Sequence, residues 1–265
     1  MKDWMHQLFQ AIFLFFTLLL ASCGKEDPQR EFIKKLFSNQ TETLYIELDY
    51  MQGTLPVTID PNSGLHIWQL LQYNLDHIFS GSKNLLIPLT SSDMSQISAE
   101  SKNYTREDLI HLAMQHRDSP AWQNKQASIY MLWVDGYFKN NQEQTETNVL
   151  GLSISGQAML VVFKPAVELA SSSFPHYEAY AQQIVANHEI GHVIGLVNNG
   201  LSNVSDHLDE SSEHGSAHCN NTNCIMFWQN EAKTHDIAAY VMAENNLNLV
   251  LFDQACLNDI HAFIE

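Results

Sequence analysis

An α+β fold containing an α/β layer is the class this sequence predicts, and three observations predict it. Through the first two thirds, segments rich in β-branched and aromatic residues alternate with segments whose apolar residues recur every three or four positions. One helix, running through residues 177–197, is apolar around nearly its whole circumference between Ile184 and Val197, as a helix buried at the centre of a domain must be. Beyond it the strand pattern stops, and the chain is predicted to close with two helices, around 231–246 and 253–264.

Taken in order, Lys2 precedes the apolar run LFQAIFLFFTLLLA from Leu8 to Ala21. That run is short for a membrane span and reads as the core of a secretory signal. It ends in Leu20-Ala21-Ser22-Cys23 followed by GKEDPQRE, which resembles the lipobox of bacterial lipoproteins. The resemblance implies a signal peptide over 1–22, acyl chains on Cys23, and a lipidated tether over 23–42 with a short helix around EFIKKLF. The remaining 43–265 is then a single domain, divided at residue 197 into an N-terminal part carrying the apolar helix and a C-terminal part. Such a protein is extracytoplasmic and touches the membrane through its lipid anchor only. Lys25 after the cysteine agrees with sorting to the outer membrane, with display at the cell surface as a further option.

TLYIELDYM (43–51) predicts a strand with Ile46, Leu48 and Tyr50 on one face and Tyr45, Glu47 and Asp49 on the other. In LHIWQLLQYNLDHIF (65–79), Leu65, Trp68, Leu71, Leu75 and Ile78 mark a helical face. KNLLIPLT (83–90) reads as a strand and TREDLIHLAMQHR (105–117) as a helix with a Thr105–Asp108 capping box. ASIYMLWV (127–134) and AMLVVFKP (158–165) are further strands, and Pro175 falls in the first turn of the apolar helix.

The formal charge of −17 argues against nucleic acid as a partner and against electrostatic binding to anionic lipid, since both are negative. Nothing in the sequence fixes the oligomeric state. With Cys23 lipidated, Cys219, Cys224 and Cys256 remain; three is odd, so one thiol stays free or the group binds metal.

The apolar helix carries HEIGHVIGLVNNG (188–200). Residues four apart on a helix project the same way, so His188 and His192 could hold one metal ion through their imidazoles. Glu189 lies one step round from His188, where its carboxylate could take a proton from a water whose pKa the metal lowers from 15.7 towards about 7. That chemistry is peptide hydrolysis without a covalent intermediate. The alternative for two such histidines is a buried helix whose imidazoles are satisfied by carbonyls. Gly195 follows at the spacing of H-E-x-x-H-x-x-G-x-x-H, where the chain turns sharply to return a third ligand, and glycine tolerates the positive φ of that turn. The third-ligand position is Asn198, a poor zinc ligand, and is expected to make turn hydrogen bonds instead. Asp206, His207, His214 and His218 are the ligands on offer downstream, His207 and His214 within an acidic, serine-rich loop that would ordinarily be solvated.

His218 opens HCNNTNCIM, that is H-C-x4-C-x-M. Together with HEIGHVIGLVNNG this resembles the archaemetzincins, a branch of the metzincin zinc peptidases, and a set of bacterial lipoprotein metalloproteases. The resemblance treats 198–217 as a loop inserted before the motif resumes. It implies a metzincin-like zincin fold: a twisted sheet, an active-site helix and a mainly helical C-terminal part. It implies Zn2+ on His188, His192 and His218, Glu189 as catalytic general base and then acid, Met226 as the Met-turn residue beneath the metal, and a protein or peptide substrate held along an edge strand, assigned to AMLVVFKP. In that family four cysteines build a second zinc site; here the last pair reads D-Q-A-C, so Cys219, Cys224 and Cys256 form either a second, structural zinc site with Asp253 or a disulfide (Cys219–Cys224 or Cys224–Cys256). Trp228 stands where many members have tyrosine, which leaves the oxyanion stabiliser unassigned. The rival expectation is a metzincin-shaped surface lipoprotein that binds rather than cleaves; the retained Glu189 counts against it.

Overall fold

The computed structural model describes residues 26–100, 102–172, 177–211, 215–232 and 235–264. The segments expected as signal peptide and lipobox, with Cys23, and the residues Pro175 and His214 therefore lie outside the described residues.

The chain begins with α1 (Pro28–Phe37), then β1 (Thr43–Met51), α2 (Gln69–Phe79), β2 (Asn84–Leu86), β3 (Ser95–Ile97) and α3 (Arg106–His116). It continues through β4 (Trp122–Gln123), β5 (Gln126–Val134), β6 (Phe138–Lys139), β7 (Thr145–Glu146), β8 (Gly151–Ile154) and β9 (Met159–Phe163). The helices α4 (Lys164–Ser171), α5 (Glu178–Val193), α6 (Gln229–Ala232), α7 (His235–Glu244) and α8 (Gln254–Ile264) complete it. This is a mixed α/β architecture around a largely parallel sheet ordered β2-β1-β5-β9-β8, with β3 also on β1 and β4 on β5. The β1–β2, β1–β3, β1–β5 and β5–β9 pairs are parallel, and β8 is antiparallel to β9.

Three differences from expectation have physical reasons. The helix expected from residue 65 starts at Gln69 because Asp60 accepts hydrogen bonds from the backbone of Asn62 and Ser63, folding 60–66 into a turn closed by an Ile59–His66 bridge. The strand expected over 83–90 ends at Leu86; Pro88 has no N–H to continue a ladder. The strand in AMLVVFKP is not an edge strand. It lies between β5 and β8, and the edge is the four-residue β8.

The segment expected as tether is also corrected. Within it α1 is part of the domain: Phe32, Ile33, Leu36 and Phe37 are buried in the core. Asp27 caps it by accepting from the Gln29 backbone N–H, and Gln29 in turn donates through Nε2 to the Val193 carbonyl at 2.8 Å. Its Oε1 accepts from Gly156 N at 2.9 Å, so one buried side chain ties α1 to the end of α5 and to the β8–β9 turn.

The polar face of β1 is buried as well. Glu47 accepts from the backbone N–H groups of Asp118 and Ser119 at 2.6 and 2.9 Å, and Asp49 accepts from the Tyr130 hydroxyl at 2.7 Å. Burial, partly offset by that hydroxyl, pushes the Asp49 carboxyl up to about 6. On the other side of the sheet α5 packs along β8 and β9, with every residue from Ala179 to Val193 buried.

Candidate metal centre

Three elements build the site. The first is α5, on which His188 and His192 face the same way; their Nε2 atoms are 3.0 Å apart. Zinc–nitrogen bonds of about 2.0–2.1 Å would set tetrahedral ligand atoms roughly 3.3 Å apart, so this pair is within a few tenths of an ångström of a shared ion. The second is the turn that ends α5. The Gly195 N–H donates to the His192 carbonyl at 3.0 Å and the Leu196 N–H to the Gly191 carbonyl at 2.9 Å, the pair of bonds of a Schellman cap. Gly195 has φ +103°, which favours glycine, and Ile33 of α1 packs directly beneath it.

The third element is the return of the chain at His218. The Asp209 N–H donates to the His218 carbonyl and the Asn220 N–H to the His207 carbonyl, both at 2.8 Å, so 207–209 pairs antiparallel with 218–220. Cys219 N–H then donates to the Met226 carbonyl at 2.8 Å. These bonds hold His218 opposite α5. Its ring centroid lies 5.5 Å from that of His188 and 5.4 Å from that of His192. One ligand atom from each of the three buried histidines falls within 4.8 Å of the others, a cluster that could hold a metal ion.

Around them the supporting groups are specific. His188 Nδ1–H donates to the Ile225 carbonyl at 2.6 Å, which leaves its Nε2 lone pair facing the cluster. The Asn230 amide also donates to that carbonyl at 2.9 Å. The Asn199 amide nitrogen lies 3.0 Å from His192 Nδ1. Met226 is buried against the helix at Gly191, where a Cβ would come within 2.2 Å of its sulfur. Glu189 is buried beside β8: a Cβ on Gly151 would lie 2.8 Å from Glu189 Cγ and 2.9 Å from its Oε1. Trp228 is half-buried two residues past Met226.

The structure thus brings His188, His192 and His218 together, sets Glu189 of the same helix against Gly151 of β8 and Met226 against Gly191, and leaves Asn198 outside the cluster, exposed, with a left-handed φ of +68°. The Ile225 carbonyl, Asn199 and Gly151 carry no sequence signal of their own; only the neighbouring Asn-Asn-Gly turn hinted at Asn199.

His207 is elsewhere and is not a solvated loop residue. It is buried, its Nε2 2.8 Å from Asp259 Oδ2 and its Nδ1 3.8 Å from Cys256 Sγ. Cys219, Cys224 and Cys256 are unbonded thiols; Cys224 Sγ and Cys256 Sγ are 3.7 Å apart, where a disulfide needs about 2.05 Å. Hydrogen bonds from the Cys224 and Cys256 thiols hold Cys219 well below the usual thiol range. Burial pushes Cys224 up, and hydrogen bonding to Cys219 pushes Cys256 up. Asp253 accepts from the Asn221 amide at 2.8 Å and, as cap of α8, from the Cys256 N–H at 2.9 Å.

Among the described residues no helix is long and apolar enough to cross a membrane. In comparisons with known proteins no family model matches the chain, no curated protein matches it, and no solved structure matches it.

Proposed function

We propose that the chain is a zinc-dependent endopeptidase of metzincin type, acting on protein or peptide substrates at the cell envelope, where a lipid on Cys23 holds it. The observation that carries this reading is the convergence of three buried imidazoles, two of them on the helix that also carries the buried Glu189. The donor set suits zinc: three imidazoles, with the His188 and His192 nitrogens near tetrahedral spacing and His188 held in the ligating tautomer by a carbonyl. A zinc ion with three protein ligands supplies Lewis acidity and lets water ionise near neutral pH. Glu189 takes the proton of the attacking water and returns it to the leaving amine nitrogen, so no covalent enzyme intermediate forms. An extended substrate adds to the outer edge of β8. Because Gly151 of that strand touches Glu189, the added backbone runs past the general base.

The test is zinc content and casein hydrolysis by the soluble chain that starts at Gly24. Glu189→Ala keeps zinc and loses at least about 100-fold in rate, the scale of a lost general base; His218→Ala loses both. Unchanged zinc affinity in His218→Ala would remove it as third ligand. Zinc bound without hydrolysis of any protein substrate would leave a binding module.

A further inference from the structure

The cysteines and His207 form a second constellation, behind the histidine cluster and separate from it. His207, Cys219, Asp253 and Cys256 each offer a ligand atom, all within 4.8 Å of one another, and Cys224 adjoins Cys256 at 3.7 Å. Zinc–sulfur bonds of about 2.3 Å place tetrahedral sulfurs roughly 3.8 Å apart and a sulfur and an imidazole nitrogen roughly 3.6 Å apart. The Cys224–Cys256 and Cys256–His207 separations, 3.7 and 3.8 Å, are those of two tetrahedral edges.

Two residues compete to complete the three thiols. Both oxygens of Asp253 are occupied: Oδ1 caps the N-terminus of α8 at Cys256 N–H, and Oδ2 accepts from Asn221 and lies 3.4 Å from Cys219 Sγ. His207 is placed as metal-bound histidines are. Its outer nitrogen is 2.8 Å from the buried carboxylate of Asp259, and its inner nitrogen faces the sulfurs; a carboxylate on the far nitrogen orients and strengthens an imidazole ligand. Asp259 is itself fixed by accepting from the Val204 N–H at 2.8 Å.

We propose that Cys219, Cys224, Cys256 and His207 bind a second, structural zinc ion, with Asp259 as the carboxylate that positions His207 and Asp253 as a helix cap that does not ligate. The fourth ligand comes from the loop 198–217, so the ion pins that loop to α8. It also fixes Cys219, next in the chain to His218, and so holds the third histidine of the first cluster in register. All four protein positions being filled, the second site is closed to substrate.

The test is metal analysis of the protein purified without a metal-affinity tag, with X-ray absorption at the zinc edge. Two zinc ions per chain with three sulfur ligands shared between them are expected. In the background His188→Ala/His192→Ala one zinc remains, and cobalt in its place gives a thiolate-to-cobalt charge-transfer band. In that background His207→Ala weakens the remaining metal at least 10-fold, Asp259→Asn weakens it by about 10- to 100-fold, and Asp253→Asn leaves affinity and spectrum unchanged. Should the double-histidine variant not fold, the sulfur count of the unmutated protein decides alone. A single zinc without sulfur ligands overturns the second site while sparing the peptidase reading; a single zinc on sulfur does the reverse. A Cys224–Cys256 disulfide in the isolated protein, or a second zinc lost in Asp253→Asn and retained in His207→Ala, also overturns the proposal.

Discussion

Gly151 on β8 and Glu189 on α5 are packed so closely that the strand has no room for any side chain there: an added Cβ would meet Val185 Cγ1 at 2.6 Å, Glu189 Cγ at 2.8 Å and Glu189 Oε1 at 2.9 Å. The missing Cβ is what lets the carboxylate sit between the helix and the edge strand. Gly151→Ala is therefore expected to displace Glu189 without touching a histidine. On the proposed peptidase reading, casein hydrolysis should fall at least about 10-fold, part of the range a misplaced general base costs, while zinc content stays at the unmutated level. Loss of zinc together with activity would mean that the contact supports the fold rather than the carboxylate.

The glycine inside HEIGH has a comparable cause. Gly191 faces Met226, whose Sδ and Cε would lie 2.2 and 3.0 Å from a Cβ, with Phe252 Cε1 at 3.1 Å. Both neighbours belong to the core, so Gly191→Ala overpacks it and is expected to cost about 1–3 kcal/mol. Met226→Leu conserves volume and should cost less than about 1.5 kcal/mol. Urea unfolding of both variants checks the order; an equally stable Gly191→Ala would show that the methionine moves freely and does not brace the histidines.

These contacts mark what can and cannot be read from sequence. His188, Glu189 and His192 are legible because a helix fixes their relation within one turn. His218 is legible only through its flanking cysteines and methionine, since its approach to α5 depends on the pairing of 207–209 with 218–220. That same pairing carries His207 into the core, and no local pattern in an acidic, serine-rich loop announces it. Likewise GLSI is too short to read as a strand, so its more apolar neighbour takes the role of edge in the sequence; and α1, flanked by charge, resembles a tether because its apolar face has meaning only against α5 and the sheet.

Asp49 makes stability depend on pH in a direction opposite to most carboxylates. Its pKa rises from 3.8 to about 6 in the fold, mainly through burial. Between these values the folded protein binds more protons than the unfolded one, so stability falls as pH rises from about 4 to about 6. Asp49→Asn keeps an acceptor for the Tyr130 hydroxyl and removes the buried charge. It is expected to add roughly 1–3 kcal/mol at pH 8, since each tenfold change in proton affinity corresponds to about 1.4 kcal/mol, and almost nothing at pH 4. Urea midpoints for both proteins at the two pH values check this; an equal gain at both would assign the effect to packing instead.

Helix α1 holds α5 from behind. Gln29 satisfies the Val193 carbonyl at the end of α5, and Ile33 fills the space under Gly195 and Gly200. Phe32, Ile33, Leu36 and Phe37 are all buried. Burying four such side chains contributes about 6–12 kcal/mol at roughly 1.5–3 kcal/mol each. Whole domains are stable by only about 5–15 kcal/mol. A chain beginning at Asn39 is therefore expected to be unfolded or to lose most of its stability, with zinc binding at the histidine cluster lost along with it. A chain beginning at Glu26 keeps the Asp27 cap and should melt like the chain that begins at Gly24. Thermal melts followed by circular dichroism separate the two cases: an unshifted midpoint for the chain starting at Asn39 would return the segment to the role of a tether, and would leave the exit turn of α5 to be held by its own Schellman bonds alone.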